Sequence, residues 1–275
     1  MKLAYQVSTA EVYRLPGVTS YQGDFEKSLQ ALKSRGYDGV ELMVRDPRIA
    51  DMAMLSRLLD KYAYEVPVVC TGEIYGQDKL CFSDPSEEVR NEALQRFRAA
   101  IDMAHAFSAQ INLGRVRGGY HPGIPEDQTR DRIFEAVLDI TNHAAKKNVV
   151  IALEPVNTLG LNYINTTLEG LEYVKRVGSP NFRLMIDTAH MHIEDRDIED
   201  SVRRSREYVT FVHLADSNRR YPGAGTFDFP AFIRLLKDVR YTDWVSVEVF
   251  PMPDQDTALQ RSYEYIRPLL GQLAE

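Results

Sequence analysis

The feature that most constrains the fold is a regular alternation of short apolar runs with longer segments of helical period. Eight runs rich in apolar residues predict strands at 2–8, 39–44, 65–71, 110–116, 149–154, 182–187, 209–215 and 244–250. Segments with helical apolar spacing alternate with them, at 24–35, 51–63, 86–107, 126–147, 167–177, 197–207, 228–238 and 255–273. Several strands are continuous apolar runs, which is typical of a parallel sheet buried on both faces.

Eight strand–helix units in 275 residues predict an α/β chain that closes into a (β/α)8 barrel, that is, a TIM barrel. A doubly wound open sheet is the structural alternative. No linker or low-complexity tract divides the chain, so we expect one domain that spans residues 1–275.

Composition excludes some classes of partner. The net charge is −7, which does not suit a nucleic-acid binder, and no apolar run approaches the roughly 18 residues of a membrane span. The two cysteines, Cys70 and Cys81, are too far apart for a CxxC motif or a disulfide framework. The stretch 1–8 fits a first strand better than a signal peptide. We therefore expect a cytoplasmic protein with a small-molecule partner.

Polar residues mark the ends of the last four predicted strands. Glu154 ends IALE, Asp187 ends LMID, His213 follows TFV, and Glu248 lies in VSVEV. In a barrel, the carboxyl ends of the strands meet at one mouth, where active sites lie. Four successive strands would therefore present three carboxylates and one imidazole to the same space.

Three neighbouring carboxylates repel one another unless a cation lies among them. A set of three oxygens and one nitrogen is a hard donor set, so the sequence predicts a divalent metal, Mn²⁺ first and Mg²⁺ or Co²⁺ as alternatives. His190 lies three residues beyond Asp187, where it could face a ligand of that metal. For His192 we expect surface exposure or a supporting role.

Several motifs give the chain a family resemblance. EPVN (154–157), MIDTAH (185–190), HLADSNRRYPGAGTFDF (213–229) and VSVEV (245–249) resemble the sugar phosphate isomerase/epimerase superfamily, whose barrels are like that of xylose isomerase. Within it, the order and spacing of the motifs are most similar to the ketose 3-epimerases. This resemblance covers most of the chain and implies a metal-dependent isomerase-class enzyme of carbohydrate metabolism, assembled as a homodimer or homotetramer.

The resemblance also implies roles for individual residues. The four residues at the strand ends match the family's metal ligands, and Glu154 and Glu248 also match its acid/base pair, which inverts the carbon beside a ketone through an enediolate. His190 and Arg219 match its contacts to substrate oxygens. The stretch TLGLNY (158–163) departs from many relatives, which carry Arg or an aromatic residue and then an acidic residue there.

A closer likeness is to the 5-keto-L-gluconate epimerases of inositol catabolism. It depends on VRDPRIAD (44–51), TGEIYG (71–76), LGRVRG (113–118), NYINT (162–166) and DSNRRYPGAG (216–225). It implies a keto sugar or keto sugar acid as substrate.

Arginines and loops near the predicted mouth carry further hypotheses. Arg115 and Arg117 follow the fourth strand and could bind a substrate carboxylate, since guanidinium forks suit carboxylates; surface salt bridging is the alternative. Arg45 is a weaker candidate. RGGYHPG (117–123) could be a lid, and an ordinary loop is the alternative. PGAG (222–225) could cradle a phosphate, but EVFPMP (248–253) lacks the expected glycine, so we favour an unphosphorylated substrate.

Three other functions fit such a barrel. An aldose–ketose isomerase would use the same metal site. A DNA repair endonuclease-like hydrolase would need a three-zinc cluster with more histidines on the early strands, and the chain has six histidines in all. A barrel without catalysis would be expected to lack one of the four ligands, and all four are present.

Overall fold

Eight parallel strands form a closed barrel in the computed structural model, which describes residues 1–271. Each strand pairs with its neighbours in the sequence, and the first pairs with the last. This closure confirms the predicted TIM barrel and excludes an open sheet. The strands are β1 (Lys2–Ser8), β2 (Gly39–Met43), β3 (Val68–Cys70), β4 (Gln110–Leu113), β5 (Ile151–Leu153), β6 (Phe182–Asp187), β7 (Val209–Leu214) and β8 (Trp244–Val247).

Helices cover the outside of the barrel. Their bounds are α1 (Phe25–Arg35), α2 (Met52–Tyr62), α3 (Gly72–Gly76), α4 (Glu87–Ala106), α5 (Glu126–Lys146), α6 (Thr167–Val177), α7 (Thr188–Glu194), α8 (Ile198–Ser205), α9 (Phe229–Asp238) and α10 (Gln255–Gly271). Of the helix predicted at 255–273, the last two positions lie outside the described residues. The other seven predicted helices are confirmed to within two residues at each end.

Side-chain caps explain where several helices begin. Asp24, Asp51, Asp197 and Asp228 each accept a hydrogen bond from a backbone N–H in the first turn of α1, α2, α8 and α9. Thr166 and Glu169 form a reciprocal capping box at the start of α6. These caps fix the chain direction after the loops at the barrel mouth.

The interior of the barrel contains a dry layer below the mouth. Val68, Ala152, Met185 and Phe211 pack there, with Trp244 against them. Successive side chains of a strand point to opposite faces, so a residue two positions further points to the same side. The residues two positions beyond Ala152, Met185 and Phe211 are Glu154, Asp187 and His213. These polar side chains therefore also point into the barrel, immediately above the dry layer.

Two predicted strands are clearly shorter than expected at the mouth. The end of β4 gives way to a 3-10 turn at Arg115–Arg117, and β8 ends at Val247. Strands β2, β3, β5 and β7 each end one residue early. The short helices α3 and α7 were not predicted; each begins within two residues of a strand end. Within residues 1–271, no helix is long and apolar enough to cross a membrane.

Candidate metal centre and active site

The four predicted ligands lie together at the barrel mouth. One ligand atom each from Glu154, Asp187, His213 and Glu248 can be chosen so that all lie within 4.8 Å of one another. All four residues are buried, at 7% exposure or less. The strand spacing that the sequence indicated is therefore sufficient to assemble the cluster.

Asp187 joins strand β6 to helix α7. Its Oδ1 accepts hydrogen bonds from the backbone N–H groups of Ala189 (2.8 Å) and His190 (3.1 Å), which makes it the N-cap of α7. The cap holds the carboxylate in one orientation and leaves Oδ2 facing the cluster, 3.6 Å from His213 Nδ1. Asp187 thus ends strand β6 and caps helix α7, and it presents one oxygen, Oδ2, to the site.

His213 lies at the centre of the cluster. Its Nδ1 is 3.1 Å from Glu154 Oε1 and 3.1 Å from Glu248 Oε2. Its other ring nitrogen, Nε2, faces away from them toward Glu41, whose oxygens are 2.9 and 3.1 Å distant. The ring packs edge-on against Phe211 of the dry layer. The imidazole therefore has one edge in the cluster and the other edge on a carboxylate from β2.

The charges at the site shift several pKa values. Burial by itself lowers the pKa of His213, but Glu41 and Glu248 outweigh burial and raise that pKa well above its usual range. Burial raises the pKa of Glu248, yet Arg219 and His213 bring it well below its usual range. Glu154 has a lowered pKa because its hydrogen bond to His213 outweighs its burial. The cluster therefore favours ionised carboxylates and attracts positive charge.

Arg219 extends from the loop after β7 over the cluster. Its Nη1 donates to Asp187 Oδ2 at 2.7 Å, and its Nη2 donates to Glu248 Oε2. Its backbone is left-handed, with φ of 60°, and its carbonyl accepts from Phe250 N–H, so the loop holds the side chain over the site. Two carboxylates thus share one guanidinium at the position where the sequence predicted a contact to substrate oxygens.

The donor set fits a divalent cation. Three buried carboxylates surround one imidazole nitrogen, and such groups are stable together only when cations compensate their charge. Carboxylate oxygens and an imidazole nitrogen suit Mn²⁺, Mg²⁺, Co²⁺ and Zn²⁺. Among residues 1–271, this is the one group of three or more His, Cys, Asp or Glu side chains with such a geometry.

His190 faces the cavity with a defined tautomer. Asn157 Oδ1 accepts from the backbone N–H of Leu159 at 3.1 Å, which turns its Nδ2 toward His190 Nδ1, 2.8 Å away. Because Asn157 Nδ2 is a donor, Nδ1 accepts and the proton is on Nε2. Burial lowers the pKa of His190. A neutral imidazole therefore presents an N–H to the cavity. His192 is exposed, edge-on to Phe227.

Arg115 and Arg117 occupy different environments, although the sequence assigned them one role. Arg115 lines the cavity; its Nη2 donates to the Gly72 carbonyl at 3.1 Å and contacts Glu73 Oε1 at 3.2 Å. Among the described residues, no hydrogen-bond acceptor faces its Nη1 or Nε. Its position is thus compatible with substrate binding, and the salt bridge that was the alternative is also present.

Arg117 does not face the cavity, which corrects the prediction that it binds substrate. Its side chain is completely buried, and its two Nη atoms donate to four backbone carbonyls, those of Gly114, Glu154, Tyr163 and Ile164, at 2.7–3.0 Å. Burial lowers its pKa to about 10, so it stays charged at neutral pH. Arg117 fastens the loops after β4 and β5 to each other.

Sequence reasoning missed the residues that support the ligands from behind. Glu41, Gln6 and Asn112 are buried and come from β2, β1 and β4. Asn112 Nδ2 donates to Glu154 Oε2 at 2.8 Å. Thr19 Oγ1 donates to Glu248 Oε1 at 3.0 Å. The signal that could have found three of them is a single polar residue inside an apolar strand.

The cavity above the cluster has a volume of about 440 Å³, which accommodates a monosaccharide. Its rim includes apolar side chains that solvent reaches, Leu159 and Ile193. Leu159 belongs to the stretch that departs from the family pattern, and 86% of it is exposed. At this place the chain offers a side chain without hydrogen-bonding groups.

Two loops near the mouth are held by hydrogen bonds within the chain. In 117–123, the backbone of Tyr120 exchanges two hydrogen bonds with the Asn162 side chain, so this segment is tied to the loop after β5. In 222–225, Gly223 N–H donates to Asp216 Oδ2 at 2.8 Å. Asp216 also accepts from Phe227 N–H. It leaves no room for a side chain at Gly225, because an added Cβ would lie 2.3 Å from Asp216 Oδ1. A carboxylate of the chain itself thus occupies the proposed phosphate cradle.

Comparison with known proteins identifies the family. A family model described as xylose isomerase-like TIM barrel matches residues 29–269. The chain belongs to the xylose isomerase-like TIM barrel family. This membership confirms the resemblance that the motifs indicated.

Relatives within the xylose isomerase-like family include ketose 3-epimerases. L-ribulose 3-epimerase from Methylomonas sp. (strain DH-1) is 29% identical over 86% of this chain and 82% of its own length. D-psicose 3-epimerase from Enterocloster bolteae is 28% identical over 83% and 78%, respectively. The solved structure of D-allulose 3-epimerase from Methylomonas sp. with D-allulose superposes with a TM-score of 0.80 at 24% identity, covering 98% of this chain and 96% of that one. The curated relatives are isomerase-class epimerases, the enzyme class that the sequence predicted.

Proposed function

We propose that this protein is a metal-dependent epimerase that inverts the carbon adjacent to the ketone of a keto sugar or keto sugar acid. The observation that carries the proposal is the buried cluster of Glu154, Asp187, His213 and Glu248 below a cavity of about 440 Å³. The ketose 3-epimerases among the curated relatives support the same class of reaction.

The four clustered residues would hold one divalent metal, for which we propose Mn²⁺. When bound, it would supply Lewis-acid stabilisation of the negative charge that develops on the ketone oxygen. Its charge would also replace part of the compensation that Arg219 and His213 give the carboxylates in this structure.

Glu154 and Glu248 are the proposed acid/base pair. They follow β5 and β8, and one oxygen of each lies 3.1 Å from His213 Nδ1. One carboxylate removes the proton from the carbon beside the ketone, and the other returns a proton to the opposite face. Each turnover leaves the proton on the other glutamate, so the pair resets by the reverse reaction or through substrate hydroxyls.

His190 and Arg219 are the proposed contacts to substrate oxygens. Neutral His190 would donate its Nε2–H, an orientation that Asn157 fixes from behind. Arg219, which the cluster holds in place through Asp187 and Glu248, would donate to the developing oxyanion. Hydrogen bonds within the chain already orient both groups, which lowers the cost of stabilising the charge as it develops.

The substrate class that we favour is an unphosphorylated keto sugar acid such as 5-keto-L-gluconate, which would place the enzyme in inositol catabolism. Arg115 supports this choice, because it lines the cavity with donors that have no partner among the described residues. The occupied glycine loop at 222–225 offers no free phosphate cradle. A neutral ketose is the alternative within the same proposal.

The test is a substrate panel with metal-stripped protein before and after Mn²⁺ is restored. Ketoses and keto sugar acids, including 5-keto-gluconates, are incubated, and NMR identifies each product. Epimers that form only with metal support the proposal, and the fastest substrate identifies the class. An aldose product would instead make the enzyme an aldose–ketose isomerase. No product from any compound, despite tight metal binding, would contradict the proposed reaction.

A further inference from the structure

We propose that Glu41 is a positioning residue of the metal centre, which orients the His213 ring by accepting its Nε2–H, so that Nδ1 would face the metal held by the other three ligands. This inference rests on the proposed function only in requiring that the cluster binds a divalent metal. Strand β2, which carries Glu41, supplies no ligand to the cluster itself.

The contact between Glu41 and His213 is close and completely buried. Glu41 Oε1 lies 2.9 Å and Oε2 lies 3.1 Å from His213 Nε2, and both side chains have no exposure to solvent. Gln6 Nε2 donates to Glu41 Oε1 at 3.0 Å from the neighbouring strand. The Glu41 carboxylate therefore contacts both His213 on β7 and Gln6 on β1.

The acceptor character of Glu41 accounts for a hydrogen on Nε2, and a metal bound at Nδ1 would leave that hydrogen as the one on the ring. An ionised carboxylate only accepts hydrogen bonds, so Nε2 carries the hydrogen. A metal-binding histidine that donates its other N–H to a carboxylate is fixed in ring orientation and is a more basic ligand. Since Nδ1 faces Glu154, Glu248 and Asp187, the ring is oriented to bind through Nδ1.

The same support continues to a second ligand. Because Gln6 Nε2 faces Glu41, its Oε1 faces the other way, 3.2 Å from Thr19 Oγ1. Thr19 Oγ1 in turn lies 3.0 Å from Glu248 Oε1. Because Thr19 has one hydroxyl hydrogen for these two acceptors, it bonds either Gln6 or Glu248 at a time, and both lie within its reach.

A purely structural role for Glu41 does not account for this arrangement. A buried charge is seldom the most stabilising choice for a core position, and apolar residues of similar volume commonly replace such groups without loss. His143 and Asp102 form another histidine–carboxylate pair in this chain, 2.9 Å apart, and Asp102 is half exposed. Neither residue belongs to the metal cluster. That pair provides the matched control.

The experiment measures Mn²⁺ affinity by isothermal titration calorimetry, in the full chain and without substrate. Glu41→Gln keeps the size of the side chain but removes its charge and one of its two acceptors. We expect about 10–100-fold weaker Mn²⁺ binding, the usual effect of losing such a partner, whereas Asp102→Asn should bind as the wild type does. Glu41→Asp keeps the charge and should recover most of the affinity.

A second measurement reports the tautomer directly. Long-range ¹H–¹⁵N spectra of the Mg²⁺-loaded wild type, with His213 assigned by its loss in His213→Gln, should show the hydrogen on Nε2. A hydrogen on Nδ1, or equal Mn²⁺ affinity in Glu41→Gln and wild type, would overturn the inference. The tautomer measurement can overturn the inference even if the Glu41 variants do not fold. A wild type that binds no divalent metal would instead contradict the proposed function.

Discussion

The two halves of the barrel mouth carry different chemistry. Strands β5 to β8 end in the four clustered ligands, whereas β1, β2 and β4 place Gln6, Glu41 and Asn112 against the backs of those ligands. The first half points ligand atoms to the centre of the mouth, and hydrogen bonds from the second half orient those ligands. Changes in the ligand half (β5 to β8) should therefore act mainly on the reaction rate. Changes in the supporting half (β1, β2 and β4) should act mainly on metal affinity and on the orientation of the ligands.

Loss of a proposed base in the ligand half should have the largest effect. Glu248→Gln removes the proton-accepting group and leaves the other three ligands. We expect turnover to fall on the order of 10³-fold or more, since positioned general bases contribute roughly 10²–10⁴-fold and metal binding also weakens. Steady-state kinetics at saturating Mn²⁺ measure the loss; activity within tenfold of the wild type would contradict the acid/base assignment.

Removal of Arg117 should act on stability. Arg117→Met removes the side-chain donor from four carbonyls. Those of Gly114 and Ile164 keep a backbone N–H donor, whereas those of Glu154 and Tyr163 lose theirs, at a cost of about 3 kcal/mol because each unpaired buried group costs about 1–3 kcal/mol. Urea denaturation measures the free energy of unfolding. Arg115→Met, two residues away, is the control and should change that free energy little. Equal stability of the two variants would contradict the different environments described here.

Metal removal should destabilise the fold through the ligand half. A ligand that binds only the folded state, at 100 times its dissociation constant, stabilises that state by about 2.7 kcal/mol. Chelator-treated protein should therefore melt at a lower temperature than the Mn²⁺-loaded form, by scanning calorimetry. His213→Gln should lose most of this difference, and an unchanged difference would mean that the metal binds elsewhere.

Arg115 should affect only substrates that carry a carboxylate. Arg115→Met should raise KM for a keto sugar acid by about 10–100-fold, since a hydrogen bond to a charged group contributes about 1.5–3 kcal/mol. KM for a neutral ketose should change little, and it serves as the internal control. Equal changes for both substrates would assign Arg115 to the structure of the loop.

The strand pattern of the sequence was sufficient to predict the barrel and the cluster. Glu154, Asp187 and His213 each lie two positions beyond an interior apolar residue, so strand periodicity directs them inward. Glu41 was missed because it lies within GVELM (39–43), whereas the prediction depended on polar residues at strand ends. Only closure of the barrel brings β2 opposite β7 and places its carboxylate on His213.

The arginines show where sequence reasoning stops. Arg115 and Arg117 share one 3-10 turn, and the direction of each side chain depends on which loops pack against that turn. The carbonyls that bind Arg117 come partly from residues more than 35 positions away. The glycines at 222–225 likewise gave no sign that Asp216 would occupy their N–H groups.

The central claim is that Glu154 and Glu248 move a proton at the carbon beside the ketone. Its most direct test is deuterium incorporation from D₂O, followed by NMR at that carbon, for wild type and Glu248→Gln with Mn²⁺. The wild type should incorporate deuterium as the epimer forms, and the variant should incorporate little. Epimer formation without deuterium at that carbon, or undiminished incorporation by the variant, would contradict it.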